Sequence, residues 1–101
     1  VNYIFPRVRF VDETPLDKQL EHFASECKEI IERIEKGDFT GIVEEVFDMM
    51  HSGETFLRKA EEQHKVDVGL VREKVILKND KRGYYEEDAE KLKMMYPERE
   101  E

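Results

Sequence analysis

The sequence predicts an all-α fold: an antiparallel helical bundle of three to four helices, completed by oligomerisation. Three observations carry that expectation. Apolar residues recur at spacings of three and four over most of the chain. Residues that start and stop helices stand where those stripes begin and end. The composition, 42% charged and 39% hydrophobic with no Trp and 3 Pro, suits helices that each bury one stripe. A chain of 101 residues makes one small domain. We read residues 1–13 as an extended arm, 14–96 as the helical domain and 97–101 as a mobile acidic tail.

The arm shows a short alternation, Arg7-Val8-Arg9-Phe10-Val11, which fits an arm or a short strand. Helix 1 opens with Thr14 as N-cap, Pro15 in the first helical position and Asp17 three residues after the cap. Its stripe runs Leu16, Leu20, Phe23, Cys27, Ile30, Ile34, and Gly37 stops it. Asp38 caps helix 2, expected over residues 39–63 with the stripe Phe39, Ile42, Val43, Val46, Met49, Met50, Gly53, Phe56, Leu57, Ala60. Gly53 on the apolar side implies a close helix approach. Helix 3 is capped by Asp67, turns Val68, Val71 and Val75 inward, and ends at Gly83. A short last helix is expected over residues 86–95, before Pro97.

The balance of 25 acidic and 17 basic residues, net −8, argues against long nucleic acids, whose phosphates need clustered cations. Acids packed together can instead hold cations. Cys27 is the single cysteine, so no internal disulfide forms, and its place in a stripe suggests a buried, inert thiol. No signal-peptide pattern and no apolar run of about 18–20 residues is present, so the expectation is a cytoplasmic protein with no membrane partner.

Glu26 and Glu29 are three apart on helix 1, and Glu45 and Asp48 are three apart on helix 2. Residues so spaced lie on one side of a helix, one turn apart. Glu26 and Glu45 stand at the edges of their stripes. If the stripes face each other, four carboxylates converge at the border of the core. Such a group repels itself, more so when buried, and a divalent cation relieves it. Oxygen ligands without His or Cys favour Mg2+, with Mn2+ the alternative. Each pair alone is equally what a water-facing helix carries in so acidic a chain.

Helix 3 holds the most basic stretch: Arg72, Lys74, Lys78, Lys81 and Arg82, opposed by Glu73 and Asp80. Lys74, Lys78 and Arg82 follow one line at intervals of four, with Asn79 beside it. Such a row can grip phosphate oxygens. It also suits a solvated helix C-terminus, where cations meet the macrodipole.

In this order the motifs resemble the MazG-like all-α nucleoside triphosphate pyrophosphohydrolases. They read Glu26-Cys27-Lys28-Glu29, then Glu44-Glu45-Val46-Phe47-Asp48, then Lys78-Asn79-Asp80-Lys81-Arg82-Gly83-Tyr84-Tyr85. The similarity spans residues 15–85. The resemblance implies cleavage of a nucleoside triphosphate between its α and β phosphates, giving a monophosphate and pyrophosphate. It implies Glu26, Glu29, Glu45 and Asp48 as ligands of Mg2+, and Lys78, Asn79 and Arg82, with Lys74, as phosphate contacts. It further implies a homodimer or homotetramer in which helices of two chains shape the site. One departure stands out. The first motif of the family often opens with two adjacent glutamates, the extra one a candidate base for water, and here that place is Ser25. His22, one turn before Glu26, is a candidate substitute base; the alternatives are that one of the ligands itself serves as base, or that no base is present. The alternative to an enzyme is a non-catalytic helical oligomerisation or adaptor module, which the amphipathic stripes alone would serve.

Overall fold

The computed structural model describes residues 2–86, and within them every regular element is helical. A 3-10 turn spans Arg9–Asp12, followed by α1 at Leu16–Lys36, α2 at Phe39–His64 and α3 at Val68–Lys81. Residues 2–66 form one compact unit, and the described residues from Asp67 to Glu86 belong to a second. The expected helix over 86–95, apart from Glu86, and the tail at 97–101 lie outside the described residues.

The first unit is a helical hairpin with an N-terminal strap. Gly37 takes a left-handed φ of 67°, and its N–H reaches back to the carbonyls of Arg33 and Ile34. Only a residue without Cβ holds that conformation cheaply, which is why α1 stops there. Asp38 then caps α2, its carboxylate accepting the N–H of Gly41 at 2.9 Å. With two residues between helices, α2 must run back along α1. Gln19 donates to the carbonyl of Ser52 at 3.0 Å, and Cys27 Sγ lies 3.5 Å from Met49 Sδ. A Cβ at Gly53 would come within 3.4 Å of the Phe23 ring, so this glycine does mark a close approach. Cys27 is half-buried rather than sealed in the core.

The strap departs from the sequence-based expectation. Residues 9–12 turn instead of extending, and Val11 becomes fully buried. Thr14 does not cap α1: the N-cap is Pro15, with no side-chain cap bond. Lys59 of α2 has claimed Thr14 instead. Its ammonium, fully buried, donates to the carbonyls of Phe10, Val11 and Thr14 at 3.3, 2.9 and 2.6 Å and to Thr14 Oγ1 at 2.9 Å. Upstream, both carboxylate oxygens of Glu54 accept backbone N–H groups, from Ile4 and Phe5 at 2.8 Å each. Arg58 donates to the carbonyl of Phe5 at 2.7 Å and stacks 4.2 Å over the Tyr3 ring. Arg7 bridges Asp12 and Glu62 at 2.9 and 2.8 Å. Positions 54, 58, 59 and 62 thus use one face of α2 to hold the strap.

The hairpin leaves much apolar surface uncovered. Phe39, Val43, Met50 and Leu57 on α2 keep 76, 55, 37 and 42% of their surface, and Leu20 and Ile34 on α1 are similarly exposed. Val11 and Val68 are the only buried hydrophobic side chains among the described residues.

In the second unit, Asp67 caps α3 by accepting the Leu70 N–H at 3.1 Å. The helix ends in a tight turn: Gly83 has φ 75°, and the carbonyl of Asn79 accepts the N–H of Tyr84 at 3.1 Å. Among the described residues, no helix is long and apolar enough to cross a membrane.

Candidate metal centre

The hairpin register brings the acids of α1 and α2 together. Glu26, half-buried, and Glu29, exposed, come from α1, and the half-buried Glu45 answers them from α2. One carboxylate oxygen from each of these three residues lies within 4.8 Å of the other two. Asp48 stands beside this group without being within that radius. Its charge bears on both Glu26 and Glu45, and it hydrogen-bonds to Glu45.

Crowding and burial show in the acidities. Burial is the main reason that the carboxyl of Glu26 is pushed up to about 7, followed by its hydrogen bond to Glu29 and the charges of Glu29, Asp48 and Glu45. Glu45 is also raised, by burial first and then by Glu29 and Asp48, with Arg33 opposing. The side chains of Glu26 and Glu45 are only 13 and 12% exposed. Glu26 Oε2 is shielded from water and has no hydrogen-bond partner. A buried carboxylate oxygen left this way is costly unless a proton or a cation completes it.

This donor set fits Mg2+ or Mn2+. It is all oxygen, half-buried and multiply negative. Neighbouring oxygens on an octahedral ion at about 2.1 Å stand about 3 Å apart, so the three carboxylates would close by up to about 2 Å around it. The orphaned Glu26 oxygen is the observation that most favours an ion.

His22 sits one turn before Glu26 with its Nε2 at 3.3 Å from Glu26 Oε1 and its side chain 55% exposed. Both line a pocket of about 250 Å³ together with Val8, Phe10, Gln19, Asp48, His51, Ser52 and Thr55. Two neighbours of the centre were not foreseen from sequence. Arg33 binds Asp38 at 3.0 Å and places its Nε 3.8 Å from Glu45 Oε2. His51 stacks on Phe5 at 4.8 Å with an interplanar angle of 15°. Both continue the helical rows of the acids, Arg33 seven residues beyond Glu26 and His51 three beyond Asp48. That periodicity is the signal that could have found them.

In the second unit, Lys74, Lys78 and Arg82 line one groove with Lys81 and Leu77. The row read from the spacing is therefore a shared surface. Asn79 does not line it. Its carbonyl is taken by the N–H groups of Arg82 and Tyr84 in the helix-ending turn. Arg82 also lies over the Tyr84 ring, 5.7 Å from its centre.

An acid-bearing helical hairpin followed by a basic helix defines an all-α class in which carboxylates of consecutive helices meet. The chain belongs to the MazG nucleotide pyrophosphohydrolase family, whose domain model matches residues 16–84. No curated protein and no solved structure matches it.

Proposed function

We propose that this protein is a Mg2+-dependent nucleoside triphosphate pyrophosphohydrolase, splitting the α–β phosphate bond of a ribo- or deoxynucleotide. The convergence of Glu26, Glu29 and Glu45 across the hairpin, inside a domain of this family, is the observation that carries the reading.

Glu26, Glu29 and Glu45 would hold the metal, with Asp48 completing the set. When bound, the ion supplies Lewis acidity at a phosphoryl oxygen and offsets the negative charge of the triphosphate. The chain supplies the rest. Glu26 and His22 border the pocket beside the centre, which gives an attacking water two polar neighbours. We assign His22 as the base: its Nε2–H faces Glu26 Oε1, which orients the ring and leaves Nδ1 to take the water's proton. The water oxygen bonds to the α-phosphorus, the bond from that phosphorus to the bridging oxygen breaks, and pyrophosphate leaves. Lys78, Asn79 and Arg82, with Lys74, are assigned as phosphate contacts, as the resemblance to the family implies. Ser25, where a glutamate is common in the family, has no acidic group to share this work.

The exposed apolar residues of α2 favour a homodimer or homotetramer in which a second copy covers them. An adaptor module would use the same surface but would have no need of the acidic centre. Turnover separates the two readings. With Mg2+ and a panel of nucleoside triphosphates, the wild type should hydrolyse at least one of them. Glu45→Gln should lower kcat/KM at least about 100-fold. Absence of turnover on every triphosphate would leave the adaptor reading.

A further inference from the structure

The hairpin itself brings a guanidinium to the acidic centre, one that the phosphate contacts of α3 do not include. Arg33 stands seven residues beyond Glu26, two turns along the same face of α1. Its Nη1 donates to Asp38 Oδ2 at 3.0 Å, and its Nε lies 3.8 Å from Glu45 Oε2. The first contact is a hydrogen bond. The second is too long for one, so charge rather than a bond draws Nε to Glu45. Of the five N–H donors of a guanidinium, one therefore has a partner at bonding distance among the described residues.

The anchor at Asp38 is built into the turn. A Cβ at Gly41, in the first turn of α2, would press on the Asp38 carboxylate and lie 3.0 Å from Arg33 Cδ. Glycine is a poor helix former, and here its missing side chain leaves the room in which Asp38 and Arg33 meet. The Arg33 side chain stays 42% exposed, which leaves it open to a ligand from solution.

Glu45 is one of the three carboxylates that meet within 4.8 Å. With Glu45 engaged as a metal ligand, its charge no longer draws Nε. The guanidinium, still tethered to Asp38, then stands beside the loaded centre with donors to offer. A planar guanidinium suits phosphate oxygens, which it takes by a two-point fork, and phosphate oxygens are what Mg2+ in such a centre binds.

We propose that Arg33 exchanges partners, from Glu45 in the metal-free protein to a phosphate oxygen of the substrate once the centre is loaded, and is a further catalytic residue of this site. The inference rests on the pyrophosphohydrolase reading. It makes metal loading the condition for Arg33 to grip the substrate.

The test titrates wild type, Arg33→Gln and Arg33→Lys by calorimetry, first with Mg2+ alone. At saturating Mg2+, inorganic pyrophosphate, a nucleoside monophosphate and an uncleavable α,β-imido nucleoside triphosphate follow. Arg33→Gln should bind Mg2+ at least as tightly as the wild type, yet bind the imido triphosphate at least about tenfold more weakly, the loss expected for a hydrogen bond to a charged group. A merely structural role would weaken both. Arg33→Lys, which keeps the charge and loses the fork, should lie between. A loss shared with pyrophosphate puts the contact on the departing phosphates, and a loss shared with the monophosphate puts it on the α-phosphate. Nitrogen-15 NMR of Arg33 Nε in the wild type reads the exchange without any variant: the resonance should move with Mg2+ and again with the imido triphosphate. Equal weakening of both ligands in Arg33→Gln, or an unchanged triphosphate affinity with an Nε resonance that ignores the anion, overturns the exchange and leaves the pyrophosphohydrolase reading standing. A wild type that binds neither Mg2+ nor the imido triphosphate overturns both.

Discussion

Arg33 reaches across the hairpin to Glu45, its Nε 3.8 Å from Oε2, while its Nη1 holds the cap residue Asp38 at 3.0 Å. One guanidinium therefore joins the turn to the acidic centre. It stands in for a cation there, lowering the acidity penalty on Glu45 that burial and the other acids impose.

A competitor for the metal should show itself when removed. Arg33→Gln takes a positive charge from beside the centre, so Mg2+ should bind more tightly at pH 8, where the carboxylates are ionised. Arg33 is partly exposed, and an ion pair of that kind is worth up to about 1 kcal/mol, or about fivefold in affinity. The same change should lower the melting temperature without metal, because the Asp38 cap loses its support. Calorimetry and thermal melts check the two signs, and a weaker Mg2+ affinity in Arg33→Gln would contradict the assignment.

The raised pKa of Glu26 has a definite sign in stability. Its folded value, about 7, lies above the ordinary 4.5, so between those values the folded chain binds more protons than the unfolded one. Stability without metal should therefore fall as the pH rises through that window. Glu26→Gln should flatten this slope. Mg2+ should stabilise the wild type more at pH 8 than at pH 5, since it displaces the proton. Thermal melts in both proteins, with and without Mg2+, measure the difference. An identical slope in Glu26→Gln would exclude Glu26 as its source.

Among the acids the geometry ranks the effects. Glu45 belongs to the close group of three and Asp48 stands outside it. Glu45→Gln should weaken Mg2+ binding by more than tenfold, and Asp48→Asn by less than Glu45→Gln. Calorimetry that reverses the order would move Asp48 into the inner set.

Lys59 anchors the strap through four oxygens of Phe10, Val11 and Thr14. Lys59→Met removes the ammonium from those carbonyls, which keep only their bonds from the Glu13 N–H and the Gln63 amide, and should destabilise the protein by about 1–3 kcal/mol. Residues 1–13 should then be cut early by trypsin at Arg7 or Arg9. A variant as stable and as resistant as the wild type would show that the strap is held mainly by Glu54, Arg58 and Glu62.

What was legible in the sequence was local. Gly37, Asp38 and Asp67 set helix boundaries through bonds to residues at most four away, so their roles follow from residue type and spacing. The convergence of Glu26, Glu29 and Glu45 was legible because the hairpin turn is so short that the stripes can only face each other. Thr14 was misread because its partner is Lys59, 45 residues further on, and nothing in the local pattern announces a buried ammonium. The turn at 9–12 was hidden by the same alternation that a strand would show. Arg33 and His51 needed the register of two helices and the course of the strap, which periodicity within one helix does not supply.

The central claim is that water attacks the α-phosphorus. Hydrolysis of a nucleoside triphosphate in 18O-enriched water, with Mg2+ present, tests it through the phosphorus NMR of the products. The account predicts a nucleoside monophosphate carrying the label, shifted by the heavy oxygen, and unlabelled pyrophosphate. Label in pyrophosphate would move the attack to the β-phosphorus, and release of inorganic phosphate with a diphosphate would contradict the account altogether.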